Sequence, residues 1–351
     1  MRNPARYVAA IAPAAVLVLA MPEVLAGRAQ PPLPPALESF LAEETQTSPA
    51  DREALLAGSP LVKLLDADPV KEVAVFGAIW VNASAAAYVQ QVRNIEEFER
   101  GGAFRVTKRI SEPPSAEDFA ALSISDDDFA NLKDCKLGDC ALKLGADALQ
   151  TLRTEVDWRK PTARADANAV FRRLALQYVN GYREGGNARL AVYRDKDRPT
   201  FVANEFRSMI ERLPRLGTEL PDLTRYLLEY PKARLANSTD FLYWQETQFG
   251  LKPTVRISHL VIQDRPDGTV LASKMLYSSH YFWTALELRV LLRDPARGPG
   301  FWLVTVNRSR SDGLSGFTGH VIRGRVRSEV ESGARTALTA TKTRLESKAA
   351  R

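Results

Sequence analysis

Two of the chain's three histidines lie in apolar stretches, which makes them candidates for acid–base or metal chemistry. His259 alternates with Val255, Ile257 and Val261, and side chains two residues apart on a strand share one face. His280 is spaced in the same way within the next apolar stretch. Both histidines are therefore predicted to point inward, where each is either a functional group or a core residue satisfied by one hydrogen bond.

Glu246 and Glu287 are candidate carboxylate partners for these histidines. An enzyme of the hydrolase or cyclase type needs a base and a nucleophile within hydrogen-bond reach, so this function depends on the distances among Glu246, His259 and His280. A metal site needs a third ligand at a defined spacing, and the sequence offers none. The aspartates at 126–128 lack the glycine and the terminal glutamate of a calcium loop, and we expect a solvated helix start there.

The two cysteines, Cys135 and Cys140, enclose the short segment Lys-Leu-Gly-Asp. A metal site would need more ligands, and the spacing differs from the Cys-x-x-Cys of redox-active pairs. In an oxidising compartment such a pair forms a disulfide, which is the bond that we expect. Free thiols and redox or metal chemistry are the alternatives.

Ser311, Asp312 and His320 lie close together in a glycine-rich segment, which suggests a nucleophile. The members of a catalytic triad usually come from separate segments, and the order Gly-Leu-Ser-Gly-Phe differs from the nucleophile elbow. The segment is therefore predicted to be a hinge and helix cap, with anion binding at the helix N-terminus as an alternative.

Aromatic residues are dense in the last third of the chain. Such a set is typical of a core and also of the lining of an apolar ligand cavity. Its members are Phe241, Tyr243, Trp244, Tyr277, Tyr281, Phe282, Trp283, Phe301 and Trp302.

Hydrophobic periodicity predicts the elements that must position these residues. Residues 71–82 form a strand that is apolar on both faces, Ser84 caps a helix over 85–100, and a second strand follows at 103–110. Residues 115–230 are helical. The remaining predicted elements are strands over 240–249, 254–263, 270–292 with a break near Ser278, and 301–307, and a helix over 317–345. The strands before residue 115 and those after residue 239 are each too few to form a complete sheet. We therefore expect both groups to belong to a single sheet.

Residues 1–29 have the build of a secretory signal peptide, with arginines before an apolar stretch and small residues near a cleavage point. The protein is therefore predicted to be periplasmic or secreted, with membrane contact only through this signal. Residues 30–69 are predicted to be a proline-rich tether and a weakly helical segment. One α+β domain is expected over 70–346, with the helical insertion at about 115–230.

The chain's 351 residues, of which 45% are hydrophobic and 26% charged, are typical of a globular protein and exclude a wholly disordered or fibrous one. The net charge of +6 comes from interspersed acids and bases. Without a basic face, binding to nucleic acid is not indicated.

The order of a strand (73–81), a helix (85–100), several antiparallel strands and a long helix after Gly313-Leu314-Ser315-Gly316-Phe317 resembles the helix-grip layout of START-type lipid-transfer and polyketide-cyclase-like proteins. The resemblance covers roughly residues 70–112 and 240–346, and the insertion is not part of that pattern. It implies a curved sheet wrapped on the long helix, with an elongated apolar cavity and a lipid or other hydrophobic molecule between them. It implies no catalytic residues.

The sequence thus predicts an α+β fold, with an antiparallel sheet wrapped on a long C-terminal helix and a large helical insertion. The predicted function is non-catalytic binding of a hydrophobic small molecule or lipid between sheet and helix, without cofactor or metal. The candidate ligand-binding residues are His259, His280, Tyr281, Phe282, Trp283, Tyr243 and Glu246. The alternatives are a cell-envelope interaction protein acting through the insertion, and a hydrolase- or cyclase-like enzyme using the buried histidines.

Overall fold

The computed structural model describes residues 31–249, 252–312 and 319–349. The predicted export signal and residues 313–318 of the glycine-rich segment lie outside these ranges. The described residues from Pro32 onward belong to one compact unit.

The first part of the chain supplies two helices, two strands, two short helices and an edge strand. They are α1 (Pro35–Glu44), α2 (Pro49–Leu56), β1 (Leu61–Leu64), β2 (Glu72–Val81), α3 (Ala85–Arg93), α4 (Ile95–Phe98) and β3 (Phe104–Arg109). Ser84 caps α3 as predicted, since its hydroxyl accepts the backbone N–H of Ala87. The helix expected over 85–100 is interrupted at Asn94, whose backbone leaves the helical region. Strand β1 lies where a weak helix was expected, because it pairs with β2 along the sheet edge.

The middle of the chain is mainly helical. Its elements are α5 (Asp126–Leu132), α6 (Ala146–Glu155), α7 (Ala163–Gly185), the two-residue strands β4 (Val192–Tyr193) and β5 (Thr200–Phe201), α8 (Val202–Glu211), α9 (Pro214–Glu219) and α10 (Pro221–Glu229). The sequence analysis predicted helix over residues 115–230 and missed β4 and β5, which form a separate small hairpin. These are the shortest elements of the region, and periodicity carries little information over so few residues.

The last third of the chain contains five long strands and the C-terminal helix. They are β6 (Ser238–Phe249), β7 (Lys252–Arg265), β8 (Gly268–Ser278), β9 (Phe282–Arg293), β10 (Phe301–Ser311) and α11 (Gly319–Ala349). The expected break in the run 270–292 is confirmed, because β8 ends at Ser278 and β9 starts at Phe282.

Eight strands form one sheet in the order β1-β2-β10-β9-β8-β7-β6-β3. Each neighbouring pair is antiparallel. Strand β2 lies beside β10, with Ala78 opposite Val304, and β3 lies beside β6. The expectation that the strands before and after the helical middle share one sheet is therefore confirmed.

Both faces of the sheet are covered. On one face, Val75, Ile79 and Val81 of β2 join an apolar cluster with α3 and α11. On the other face, Phe76 and Ala78 join a cluster that includes residues of α1, α8, α9 and α10. This double burial explains why β2 is apolar at nearly every position, as predicted. We call the two sides the α11 face and the insertion face.

Helix α11 lies directly against β2. A Cβ atom at Gly77 would be 2.8 Å from Cδ1 of Leu338, so the glycine allows the close approach. Leu338 and Leu345 are buried, whereas most neighbouring residues of α11 are exposed. None of the described helices is long and apolar enough to cross a membrane.

Cys135 and Cys140 form the predicted disulfide. Gly138 within the loop has φ of +85°, a conformation that glycine adopts without strain. The loop is held against the segment after β4, because the Gly138 N–H donates to the Arg194 carbonyl and the Cys140 N–H to that of Asp195.

Replacing both cysteines by alanine is expected to lower the free energy of unfolding by about 2 kcal/mol, since the bond closes only a short loop. Urea unfolding followed by circular dichroism measures this, with reduced wild-type protein as the comparison. Equal stability of the variant and the oxidised wild type would contradict a stabilising role for the bond.

Leu338→Ala is expected to cost about 3 kcal/mol, because it removes a buried side chain from the α11–β2 contact and leaves a cavity. The exposed Thr336→Ala is the matched control on the same helix and should change stability by less than about 0.5 kcal/mol. Urea unfolding followed by circular dichroism measures both variants. Similar unfolding midpoints for the two would show that the stability contributed by α11 does not depend on this contact.

Candidate functional site

His259 lies on β7 and points inward, as its alternation predicted, and it does so on the insertion face. It is only 3% exposed. Three tyrosines from the insertion surround its ring, namely Tyr182 of α7, Tyr226 of α10 and Tyr230, whose ring centroid is 4.7 Å away. The imidazole is therefore enclosed between the sheet and the insertion.

Hydrogen bonds fix the orientation of this imidazole. Its Nε2 lies 2.7 Å from Oδ2 of Asp240, the residue before Phe241 on β6, and its Nδ1 lies 3.0 Å from the Tyr182 hydroxyl. A carboxylate can only accept, so Nε2 carries the proton, and Nδ1 then accepts from Tyr182. The Tyr226 hydroxyl donates to the same Asp240 oxygen at 2.6 Å.

The ionisation of the pair follows from burial and these bonds. Burial lowers the pKa of His259 below its usual value, and Asp240 only partly offsets this effect. Burial disfavours the charged form of Asp240, but hydrogen bonds from His259 and Tyr226 outweigh it and lower the pKa of this carboxyl. The pair is thus a neutral imidazole and a carboxylate at neutral pH.

Lys274 adds a buried amine beside this group. It is the cross-strand neighbour of His259 on β8, and its Nζ donates to Oδ1 of Asn187 and to the Leu227 carbonyl. Nζ also lies 4.3 Å from the centroid of the Phe206 ring, where a cation is stabilised. Burial lowers the pKa of Lys274 to about 7.

A cleft of about 280 Å³ opens beside Asp240 and His259, and we call it the Asp240 cleft. It lies where the chain leaves β3, so that Ile110 and Ser111 form one wall and Leu242 of β6 another. Its charged lining residues are Arg109, Glu112, Asp118, Arg183 and Asp240. Arg183 pairs with Glu112, and Arg109 lies over the Phe241 ring with 4.2 Å between guanidinium carbon and centroid.

The two oxygens of Asp240 differ in their surroundings. Oδ2 accepts hydrogen bonds from both His259 and Tyr226, whereas Oδ1 forms no hydrogen bond with the described residues. The side chain is 38% exposed and lines the cleft. Asp240 therefore offers an oriented, ionised acceptor to a molecule in the cleft.

His280 forms a second histidine–aspartate pair on the same face of the sheet. It lies in the bend between β8 and β9, and its Nε2 is 3.0 Å from Oδ2 of Asp128. The expectation that the acidic run is a solvated helix start is wrong for Asp128, which is buried and pairs with His280. Its backbone N–H donates to the hydroxyl of Ser125, the N-cap residue of α5. Beside the pair is a cavity of about 20 Å³, large enough for one water molecule.

The other predicted site residues occupy separate places. Glu246 lines the small cavity and pairs with Arg105 at 3.5 Å. Tyr281 has φ of +58°, and its hydroxyl accepts the Lys252 N–H at 2.9 Å. Trp283 is half-buried against the insertion core.

Phe282 follows Tyr281 as the first, half-buried residue of β9. Tyr243 lies on the α11 face, and its hydroxyl is 2.9 Å from Oγ of Ser273. The candidate residues are thus divided between the two faces, and one ligand under α11 would not contact His259.

Sequence reasoning missed Asp240 and the three tyrosines. Asp240 shares the alternation of Leu242 and Trp244, and Leu242 lies opposite His259 in the β6–β7 register. The hairpin register would therefore have placed Asp240 on the face of His259. Tyr182 and Tyr226 lie on helices, and Tyr230 directly follows one. Periodicity within a helix does not determine where the helix packs on the sheet.

Within residues 31–249, 252–312 and 319–349, no group of three or more His, Cys, Asp or Glu side chains is arranged to hold a metal ion. No protein-family model matches the chain, and no curated protein matches it either. The function must therefore be inferred from the geometry.

In ¹⁵N–¹H spectra of the imidazoles, His259 is expected to carry its proton on Nε2 and to become protonated only below the usual pKa of histidine. The physical reasons are its bond to Asp240 and its burial. The imidazole signals that disappear in the variant His259→Gln are assigned to His259. A proton on Nδ1, or protonation at or above the usual pKa, would contradict the assigned hydrogen bonds.

Proposed function

We propose that the protein binds a small molecule in the Asp240 cleft, through a hydroxyl or amine that donates a hydrogen bond to Asp240. The observation that carries this proposal concerns Asp240, which lines the cleft: its Oδ1 accepts no hydrogen bond from the described residues, whereas its Oδ2 already accepts two. Because His259 and Tyr226 hold the carboxylate in place, little orientational entropy is lost on binding.

The lining of the cleft indicates an amphipathic ligand. Tyr230, Phe241, Leu242 and Ile110 supply apolar surface beside the acceptor. The volume of about 280 Å³ is close to the lower end of ligand pockets, which run from roughly 300 to 1,000 Å³. A ligand with a compact apolar body and one donor group matches both features.

The ionisation of the site favours binding over catalysis. A general base works best with a pKa near the working pH, and the lowered pKa of Asp240 makes this carboxylate a weak base. The proposal keeps the predicted class of small-molecule binder and moves the site from α11 to the insertion face. Export and the hydrophobic ligand under α11 stay predictions.

Asp240→Asn tests the site. The asparagine carbonyl can still accept from His259, and its amide then places N–H donors where Oδ1 accepted, so donor ligands lose their partner. Three probes of similar size are compared by ligand-observed NMR: benzylamine, benzyl alcohol and benzoate. Benzylamine is expected to bind the wild type and to bind Asp240→Asn about tenfold more weakly.

The matched control is Asp128→Asn, which makes the same change in the other histidine–aspartate pair, away from the cleft. It should bind benzylamine like the wild type. Benzoate has no hydrogen-bond donor and should bind the wild type weakly. Its affinity should rise, not fall, in Asp240→Asn. The proposal fails if neither donor probe binds the wild type, or if the two asparagine variants bind benzylamine equally well.

A further inference from the structure

Three arginines lie on the α11 face near Phe98 and Glu99, at the end of α4. Arg289 of β9 and Arg344 of α11 both lie over the Phe98 ring, with 5.3 and 4.5 Å from guanidinium carbon to centroid. Arg256 of β7 is the cross-strand neighbour of Gln245, whose amide donates to the Glu99 carboxylate. We call Arg256, Arg289 and Arg344 the arginine cluster.

Each guanidinium in the cluster keeps a buried N–H that reaches no acceptor within hydrogen-bonding geometry among the described residues. These atoms are Nε of Arg256, Nη1 of Arg289 and Nε of Arg344. The Tyr88 hydroxyl lies close enough to interact with Arg289 but leaves Nη1 without a hydrogen bond of this geometry. Leaving buried donors unpaired is costly, so the cluster indicates an acceptor from outside the chain.

The bonds that the arginines do make leave the cluster positive. Arg289 binds Glu287 through Nε and Nη2 at 2.8 and 2.6 Å, and Arg344 donates to the Phe98 carbonyl at 3.2 Å. The other nearby carboxyl is Glu99, with Oε1 at 3.9 Å from Arg289. Burial raises the pKa of Glu99 to about 7, so this group neutralises the arginines only in part.

We propose that the arginine cluster binds a phosphate group between the sheet and α11. The site lies on the opposite face from the Asp240 cleft and does not depend on the function proposed there. Arginine N–H groups match phosphate oxygens in geometry and charge, and a tetrahedral anion can accept from donors on three different elements.

One further group distinguishes phosphate from other oxyanions. Oε1 of Gln245 is a buried acceptor without a donor among the described residues. A phosphate that keeps one proton can donate to such an acceptor, whereas sulfate at neutral pH cannot. The same phosphate chemistry occurs in soluble phosphate compounds and in phospholipid headgroups, and the test separates these sources.

Titration calorimetry with inorganic phosphate, in a buffer free of other oxyanions, tests the site. The wild type is expected to bind one phosphate and to prefer it to sulfate. Arg256→Gln, at a half-buried position, and Arg289→Lys, which keeps the charge and loses the planar fork, should each weaken phosphate binding about tenfold.

The matched control is Arg194→Gln. Arg194 is also half-buried, and its buried Nε has no hydrogen-bond partner among the described residues, but it lies outside the cluster. It should bind phosphate like the wild type. Circular dichroism checks that each variant folds, and Arg256→Gln decides the test if Arg289→Lys does not fold.

Co-sedimentation with phosphatidylcholine vesicles, with and without phosphatidic acid, identifies the source. Binding only to vesicles with phosphatidic acid, competed by inorganic phosphate, supports a lipid headgroup at the site. Phosphate binding without vesicle binding supports a soluble phosphate compound. If the wild type binds no phosphate, or both cluster variants bind it like the wild type, the proposal is overturned and water alone fills the site.

Discussion

The burial of both faces of the eight-stranded sheet is the constraint on which the other features depend. A polar side chain that points from a covered sheet cannot reach bulk water and must find a partner on a neighbouring strand or on the covering elements. His259 is paired in this way with Asp240 and Tyr182, and His280 with Asp128. The helical insertion therefore supplies hydrogen-bond partners as well as apolar cover.

Both proposed sites lie where this pairing is incomplete among the described residues. Asp240 has one oxygen saturated by two donors and the other turned toward a cleft. On the opposite face, three buried arginine N–H groups near Glu99 have no hydrogen-bond partner among the described residues. Both sites lie near β6 and β3, at the end of the sheet where the insertion leaves and rejoins it.

The sequence was sufficient for the long elements and for the face on which His259 lies, because alternation over several residues determines both. It was sufficient for the disulfide, since two cysteines five residues apart can pair without any distant contact. It could not supply the tyrosines around His259, because alternation describes one element and not the helix that covers it. For the same reason the burial of Asp128 was not predicted: its partner is His280, which is remote in the chain.

The strand order also determines when the chain can fold. Strand β2 needs β10 as its neighbour, and the bond between Thr305 and Gly77 joins residues 228 positions apart. Strand β3 likewise cannot pair until β6 has been synthesised. Closing such long loops is slow, so the first third of the chain, apart from its local pairing with β1, stays without its sheet partners until the last third has been synthesised. A chain still attached to the ribosome would thus expose the apolar residues of β2 until β10 has been synthesised.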